Sequence, residues 1–445
     1  MLTTLGIAMI CCFMYLIMSK RLSAMIALII IPILFALIAH GLGFYFESLN
    51  HIQLDGIGQM MLEGIKKLAP TGVMLLFAIL YFAIMIDTGL FDPSVKWILR
   101  QVKGDPLKVT LGTVVLSLIV SLDGDGSTTY MICVAAMLPL YRRLGMSPLI
   151  MACLMMICSG IMNITPWGGP TARAASALKI DPSDVFVPMI PAMLFAIAWI
   201  LLVAYMYGRF ERKRLGIIEL DVSHGDDIQI SNYPNAQRAH LRWLNAGLTV
   251  VLMITLMLGV LPLAVLFMIA LCLALVINYR DIDLQKKLIA HHAGNALSVV
   301  GIIFAAGVFT GILDGTGMID AMSDNLITLI PTQMGPYLAP ITALLSMPLT
   351  FFMSNDAFYF GVLPILADTA SHYGISAEQM ARASLIGQPV HLLSPLVPST
   401  YLLCGLAAIE MGDHQKFTLK WASLTCIVML FAALIFGMIP LYSVS

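Results

Sequence analysis

Charge is scarce in this chain. Asp, Glu, Lys and Arg supply 11% of its 445 residues, less than half of the roughly 25% usual in soluble domains. That shortage, with a mean hydropathy of +0.92, excludes an ordinary water-soluble domain. Cysteine pairing is absent too. None of the eight cysteines stands in a CxxC pair, and all lie in or beside apolar segments. They read as small packing residues, and neither as a disulfide framework nor as a metal site. No basic run suggests a nucleic-acid partner, and a net charge of -1 selects none. No basic region precedes the first apolar stretch, which runs straight into Lys20-Arg21, so a cleaved signal peptide is not expected. What is present in excess is apolar sequence, 60% of the chain. The class left standing is an all-α polytopic membrane protein.

Apolar runs at about 3–18 and 24–45 predict the first two spans. Residues 50–66 are mixed and are expected to lie along the interface, followed by a third span over about 68–87 that closes on Asp87-Thr88-Gly89. A short basic stretch, Lys96 to Lys108, comes next. The apolar run from Leu107 to Leu140 covers 34 residues, too many for one crossing and too few for two. At its centre stands Ser121-Leu-Asp-Gly-Asp-Gly-Ser-Thr-Thr-Tyr130. Two half-length helices meeting at a polar tip fit that arithmetic. Irregular backbone at such depth survives only where protein or a water-filled cavity satisfies it. A span from about 148 is interrupted at Asn163-Ile-Thr-Pro-Trp-Gly-Gly-Pro-Thr171, and another covers about 185–208. The polar stretch 209–241 reads as a cytoplasmic linker. Spans at about 243–260 and 262–279, an amphipathic piece near 281–294 and a span over about 296–313 follow. Pro340 to Asp368 then repeats the hairpin, with Ser354-Asn-Asp356 at its tip. A helix from about 379 breaks near His391-Leu-Leu-Ser-Pro395, and a last span covers about 420–440.

The two halves match at one constant offset of 229 residues. Gly72 pairs with Gly301, Tyr130 with Tyr359, Gly145 with Gly374, Ser147 with Ser376, Thr165-Pro166 with Ser394-Pro395 and Thr171 with Thr400. An odd number of crossings lies between them, so the second half is expected upside down. Inverted repeats with broken helices are the build of secondary transporters. The expected division is N-terminal scaffold helices at 1–66, a first repeat at 67–208, the linker at 209–241, scaffold helices at 242–295 and a second repeat at 296–445. Orientation follows from charge. With the N-terminus outside, all of the 24 Lys and Arg residues but Lys66, Lys67, Arg173, Lys179 and Arg382 fall inside.

Both hairpin tips and both breaks expose half-helix ends. Helix N-termini suit anions, and carbonyls and side-chain oxygens suit a hard cation. In the first half Asp123 and Asp125 bring charge, Gly126 close backbone approach, and Ser127, Thr128 and Thr129 hydroxyls. Asn163, Thr165, Gly168, Gly169 and Thr171 surround the break, and Arg173 is placed to pair a carboxylate. The second half offers Ser354, Asn355, Asp356, His391, Ser394, Ser399 and Thr400. Two carboxylates at one tip, against one and an amide at the other, would suit a cation–anion complex, with Asp123, Asp125 and Asp356 toward the metal. Asp87, Asp314 and His391 are candidates for a coupled proton, although both aspartates precede glycine where a helix end needs capping. His291-His292 reads as structural. An intramembrane aspartic protease is the reading from another class, but its GxGD pattern is absent and the repeat would have no role in it.

Leu122-Asp-Gly-Asp-Gly-Ser-Thr-Thr-Tyr-Met131, Asn163 with Pro166-Trp-Gly-Gly-Pro-Thr-Ala-Arg-Ala-Ala-Ser-Ala177, and Ile86-Asp-Thr-Gly-Leu-Phe-Asp92 resemble the bacterial metal-citrate:proton symporters, the CitMHS family of the ion transporter superfamily. Ser354-Asn-Asp-Ala-Phe-Tyr-Phe360 and Gly387-Gln-Pro-Val-His-Leu-Leu-Ser-Pro395 fit that family's second half. The resemblance implies uptake of citrate complexed to a divalent cation, Mg2+ ahead of Ca2+, driven by protons, with no prosthetic group. It implies a homodimer in the bacterial cell membrane, with a scaffold domain and an elevator-like transport domain that holds both hairpins. The superfamily's Ser-Asn-Thr tips are not reproduced: the first reads Gly126-Ser-Thr and the second Ser354-Asn-Asp. That departure favours protons over the sodium of the di- and tricarboxylate relatives, which stay as the alternative.

Overall fold

Long apolar stretches make helices here because backbone N–H and C=O groups in hydrocarbon can be satisfied only within the segment itself. The computed structural model describes residues 1–19, 21–43, 49, 52–90, 92–102, 104–124, 126–217, 236–258, 260–329 and 333–443, and these are helical, with no strand among them. Helices α1 (Leu2–Met18) and α2 (Ala24–Gly43) precede α3 (Leu54–Asp87). A short α4 (Asp92–Val102) leads into a hairpin of α5 (Pro106–Val120) and α6 (Gly126–Leu144). An interrupted helix follows as α7 (Pro148–Met162) and α8 (Gly169–Leu178), and α9 (Pro182–Leu215) closes the first half. Then come α10 (Arg242–Met257), α11 (Leu263–Asn278), α12 (Ile282–Gly315) and α13 (Met318–Leu329). The second hairpin joins α14 (Leu338–Phe352) to α15 (Leu363–Ser371) through a π-helical turn at Ala357–Val362. The last interrupted helix is α16 (Ala377–Leu385), α17 (Gln388–His391) and α18 (Pro398–Ala407), before α19 (Met411–Ile435).

Seven helices among the described residues are long and apolar enough to cross a membrane. One of these, Gly335–Phe352, is an arm of the second hairpin that reaches this length only by counting a 3-10 turn. Without it α14 has 15 residues, like α5, or about 22 Å at 1.5 Å per residue. Neither arm spans a hydrocarbon core of about 30 Å.

The helix ends recur at the expected offset. Shifted by 229, α8 falls on the bounds of α18, and α7 falls on the outer bounds of α16 and α17. Ser147 and Ser376 each cap the helix that follows, accepting from the Leu149 and Gln379 N–H groups. Lys179 and Ala408, also 229 apart, are the described non-glycine residues in the left-handed region, at φ 58° and 55°. Each ends its half-helix at the same step.

Two expectations need correction. Residues 50–66 do not lie along the interface apart from the next span: from Leu54 they belong to α3, a helix of 34 residues. The amphipathic piece near 281–294 is likewise continuous with its span as α12, also 34 residues. The expected division points after residues 66 and 295 therefore fall inside helices. The reason is packing. α3 and α12 pack along much of their length, and a β-carbon added at Gly64 would overlap the Gly307 carbonyl oxygen. Added carbons at Gly72 and Gly315 would meet Phe304 and Met60, so the partners descend on α3 as they rise on α12. The two helices run antiparallel. Of the linker, α9 already takes residues through Leu215, and 218–235 lie outside the described residues.

Candidate functional site

Both hairpin tips and both helix breaks meet around one cavity of about 320 Å³, at the small end of the range for ligand sites. It is lined by Ser121, Gly124, Gly126 and Thr129 from the first tip and by Ser159, Asn163, Gly169, Pro170 and Arg173 from α7, its break and α8. Asn355, His391, Leu392, Val397 and Ser399 complete it. Four helix beginnings are therefore at the cavity: α6 at Gly126, α8 at Gly169, α18 behind its N-cap Val397, and the helical turn opening at Asn355. Their free N–H groups and partial positive charge suit an anion.

The first tip is held against the first break. After α5 the chain makes one 3-10 turn and reverses at Gly124, φ 76°, which glycine adopts without penalty. Trp167 of the break donates its indole N–H to the Leu122 carbonyl at 2.8 Å, and its ring packs between Phe82 and Phe267. Asp125 and the side chain of Asp123 lie outside the described residues. No group of three His, Cys, Asp or Glu side chains forms a metal-ligand set among the residues described.

At the first break, a β-carbon at Gly168 would overlap the Asn163 carbonyl, so the turn needs glycine there. The Thr171 hydroxyl bridges the interruption to the Ile164 carbonyl at 2.8 Å, as Thr400 does to Leu392 in the second. Each threonine satisfies a carbonyl that the broken helix leaves open. At the second break, Ser394 donates to the Phe351 carbonyl and His391 Nδ1 lies on the Thr350 carbonyl, both at 2.6 Å. A carbonyl can only accept, so Nδ1 carries the hydrogen and Nε2 is left to act on the cavity.

Polar contacts cross between halves. Arg173 Nε stands 2.6 Å from Asp356 Oδ1, with both side chains largely buried. Asn163 donates to Gln388 Oε1 at 3.4 Å, and Gln388 Nε2 reaches Asn355 at 3.3 Å and Tyr359 at 2.8 Å. The Thr129 and Thr165 hydroxyls are buried without a partner among the described residues, a cost of about 1–3 kcal/mol each unless a ligand or water answers them. Thr129 faces the cavity.

The cavity thus brings together Gly126, Thr129, Asn163, Gly169, Arg173, Asn355, His391 and Ser399. Ser127, Thr128, Thr165, Gly168, Thr171, Ser354, Ser394 and Thr400 stand behind or beside that lining; Ser354, for instance, caps the turn by accepting from Ala357 N–H at 3.1 Å. Of the proton candidates His391 lines it, whereas Asp87 and Asp314 do not. Asp87 is buried against His292, 2.6 Å away, a contact that the reading of His291-His292 as structural did not foresee. Asp314 is half-exposed between Lys67 and Lys179. Sequence reasoning also missed Ser121, Ser159 and Gln388. The repeat carried a signal for the last, because Ser159 and Gln388 are 229 apart.

Comparison with known proteins follows the same lines. Residues 13–387 match the family model CitMHS, described as citrate transporter. The chain is 59% identical over 439 residues to a citrate transporter of Bacillus subtilis (strain 168), covering 99% of this chain and all of that one. It is 52% identical over 442 residues to the Mg(2+)/citrate complex secondary transporter of the same organism, with the same coverage. Among solved structures it resembles the Alcanivorax borkumensis YdaH transporter (TM-score 0.57, 14% identity, 88% of this chain and 91% of that chain). It also resembles Neisseria gonorrhoeae MtrF (TM-score 0.59, 14% identity, 86% and 85%). At that identity the likeness is one of fold.

Proposed function

The chain belongs to the CitMHS family of citrate transporters, and from that premise we propose that it carries citrate as a complex with a divalent metal ion, Mg2+ ahead of Ca2+, in symport with protons. It is a membrane transporter and not an enzyme. The observation that carries the reading is the convergence of four helix beginnings and Arg173 on one cavity. Citrate is a dense anion, and positive helix ends with a guanidinium fork match its carboxylates. The metal travels as cargo, and the oxygens of Asp123 and Asp125 at the first tip would complete its coordination. Asp356, already on Arg173, would balance that cation when the cavity is empty and yield it to a substrate carboxylate.

For the proton, His391 has the advantage of position in the cavity wall, and Asp87 that of burial against a histidine. Asp314 is half-exposed beside two lysines and does not line the cavity. We assign the helices from α3 to α9 and from α12 to α19 to two inverted repeats, with both hairpins and both broken helices in a moving body. The antiparallel course of α3 and α12 supports that inversion, and to the same reading belong an elevator-like movement, a homodimer in the bacterial cell membrane and an N-terminus outside.

Radiolabelled citrate uptake into proteoliposomes under an inward proton gradient, scanned across Mg2+, Ca2+, Zn2+, Na+ and EDTA, tests this. Uptake that needs a divalent ion and collapses with a protonophore is expected. Uptake indifferent to divalent ions and dependent on Na+ would overturn it in favour of a sodium-coupled di- or tricarboxylate carrier.

A further inference from the structure

A second cavity, about 410 Å³, opens between α4, the start of α10 and the end of α5. Its walls are carbon: Leu90, Pro93, Ala246 and Ile119, with the indoles of Trp97 and Trp243. The exception is the guanidinium of Arg242. None of these residues lines the substrate cavity.

Three observations give this cavity an occupant. Trp97 and Trp243 are 60% and 88% exposed, a condition tryptophan favours at the membrane–water boundary, where one edge of the ring is apolar and the other wet. The Arg242 Nε atom is buried yet has no hydrogen-bond partner among the described residues. A buried donor of that kind calls for an acceptor. Arg242 is also the first residue of α10, at the helix end where a cation is disfavoured and an anion welcome. The nearby carboxylate, Asp92, does not answer the guanidinium: one of its oxygens is itself buried without a partner, and burial raises its pKa against the pull of Arg242 and Lys96.

An apolar cavity, a pair of exposed indoles on its wall and a guanidinium whose buried Nε has no partner among the described residues match a single class of molecule. We propose that this cavity holds an acyl chain of an anionic phospholipid whose headgroup phosphate accepts from Arg242. Ile119 stands one residue before the end of α5, so the bound chain touches the shoulder of the first hairpin. The lipid would thereby couple bilayer composition to the element that carries the first tip.

The test needs no transport. Tryptophan fluorescence of the full chain is recorded in phosphatidylcholine vesicles doped with either brominated phosphatidylglycerol or brominated phosphatidylcholine. The wild type is expected to be quenched at lower doses of the glycerol lipid. Arg242→Gln should weaken that apparent affinity about fivefold, the worth of one arginine beside an anionic headgroup. Ala246→Phe, which keeps the cation and fills the slot, should remove the preference as well and guards against a folding defect in the first variant. Equal quenching of the wild type by both lipids, or a preference that survives Arg242→Gln and Ala246→Phe, would overturn the proposal.

Discussion

Arg173 and Leu402 occupy the same step of their half-helices, 229 residues apart, and the hairpin residues Ser127 and Asp356 correspond in the same way. In one crossing the pair is a guanidinium on a carboxylate at 2.6 Å. In the reciprocal crossing the residue types are a serine and a leucine, which cannot form an ion pair. The backbone of the two halves repeats, down to the threonine that bridges each break, while the charges do not. A cavity built from two copies of one skeleton thus acquires a polarity. The guanidinium stands at the first break and its carboxylate partner at the second tip, while the sequence gives two further aspartates to the first tip. On the reading proposed above, a substrate made of a cation and an anion would lie in it in one direction only.

The largest expected effect comes from removing that polarity at the first tip. Asp123→Asn and Asp125→Asn should each abolish metal-dependent citrate uptake while the protein still inserts. Wild-type uptake by both variants would take the metal away from that tip. Next is Arg173→Leu, which gives the first half the residue of the second. Uptake efficiency should fall about 100-fold, the scale of losing a hydrogen bond between the guanidinium and a substrate carboxylate. Asp356→Ser, the matching change across the cavity, should cost far less, because it frees the guanidinium for substrate. Equal losses in the two variants would mean that the pair is structural.

The ends of α3 and α12 offer a subtler contrast. Asp87→Asn should flatten the response of uptake to a proton gradient, because it removes the carboxylate that His292 contacts. Asp314→Asn, between lysines, should leave the response intact. A full response retained by Asp87→Asn excludes it as an obligatory carrier. Smallest is the comparison of the two left-handed caps. Ala408→Gly should raise stability by about 0.5–1 kcal/mol, because glycine takes that backbone freely. Lys179→Gly gains the same backbone relief but loses its contact with Asp314, worth up to about 1 kcal/mol at a partly exposed site, so its melting temperature should barely move.

The hairpins and breaks were legible because polar residues inside an apolar run are costly in hydrocarbon and persist where the backbone breaks or a site needs them. The single offset then tied the halves together. The full extent of α3 and α12 was not legible. Hydropathy ends a span where polar side chains begin, at Lys66-Lys67 and before Asn295, but the helical backbone continues wherever a neighbour covers it. The covering surface was written in glycines such as Gly64 and Gly307, whose purpose is invisible until the partner helix is in place. His292 was missed for the same reason, since its partner is 205 residues away. Gln388 hid inside an apolar helix, where only its counterpart Ser159 hints at a polar duty.

Side chains swing between rotamers, but a backbone pressed on a backbone has nothing to swing. Where α3 and α12 meet at Gly64 and Gly307 there is no compliant layer, so the two helices, each about 50 Å long, should flex as one beam and resist sliding. Displacement elsewhere in the bundle must then be absorbed beyond the beam's ends. The chain turns there through Thr88-Gly89 and Thr316-Gly317, with both glycines left-handed at φ 83° and 70°. Those two short joints, and not the long helices they follow, are where stiffness or looseness would set how fast the molecule changes shape.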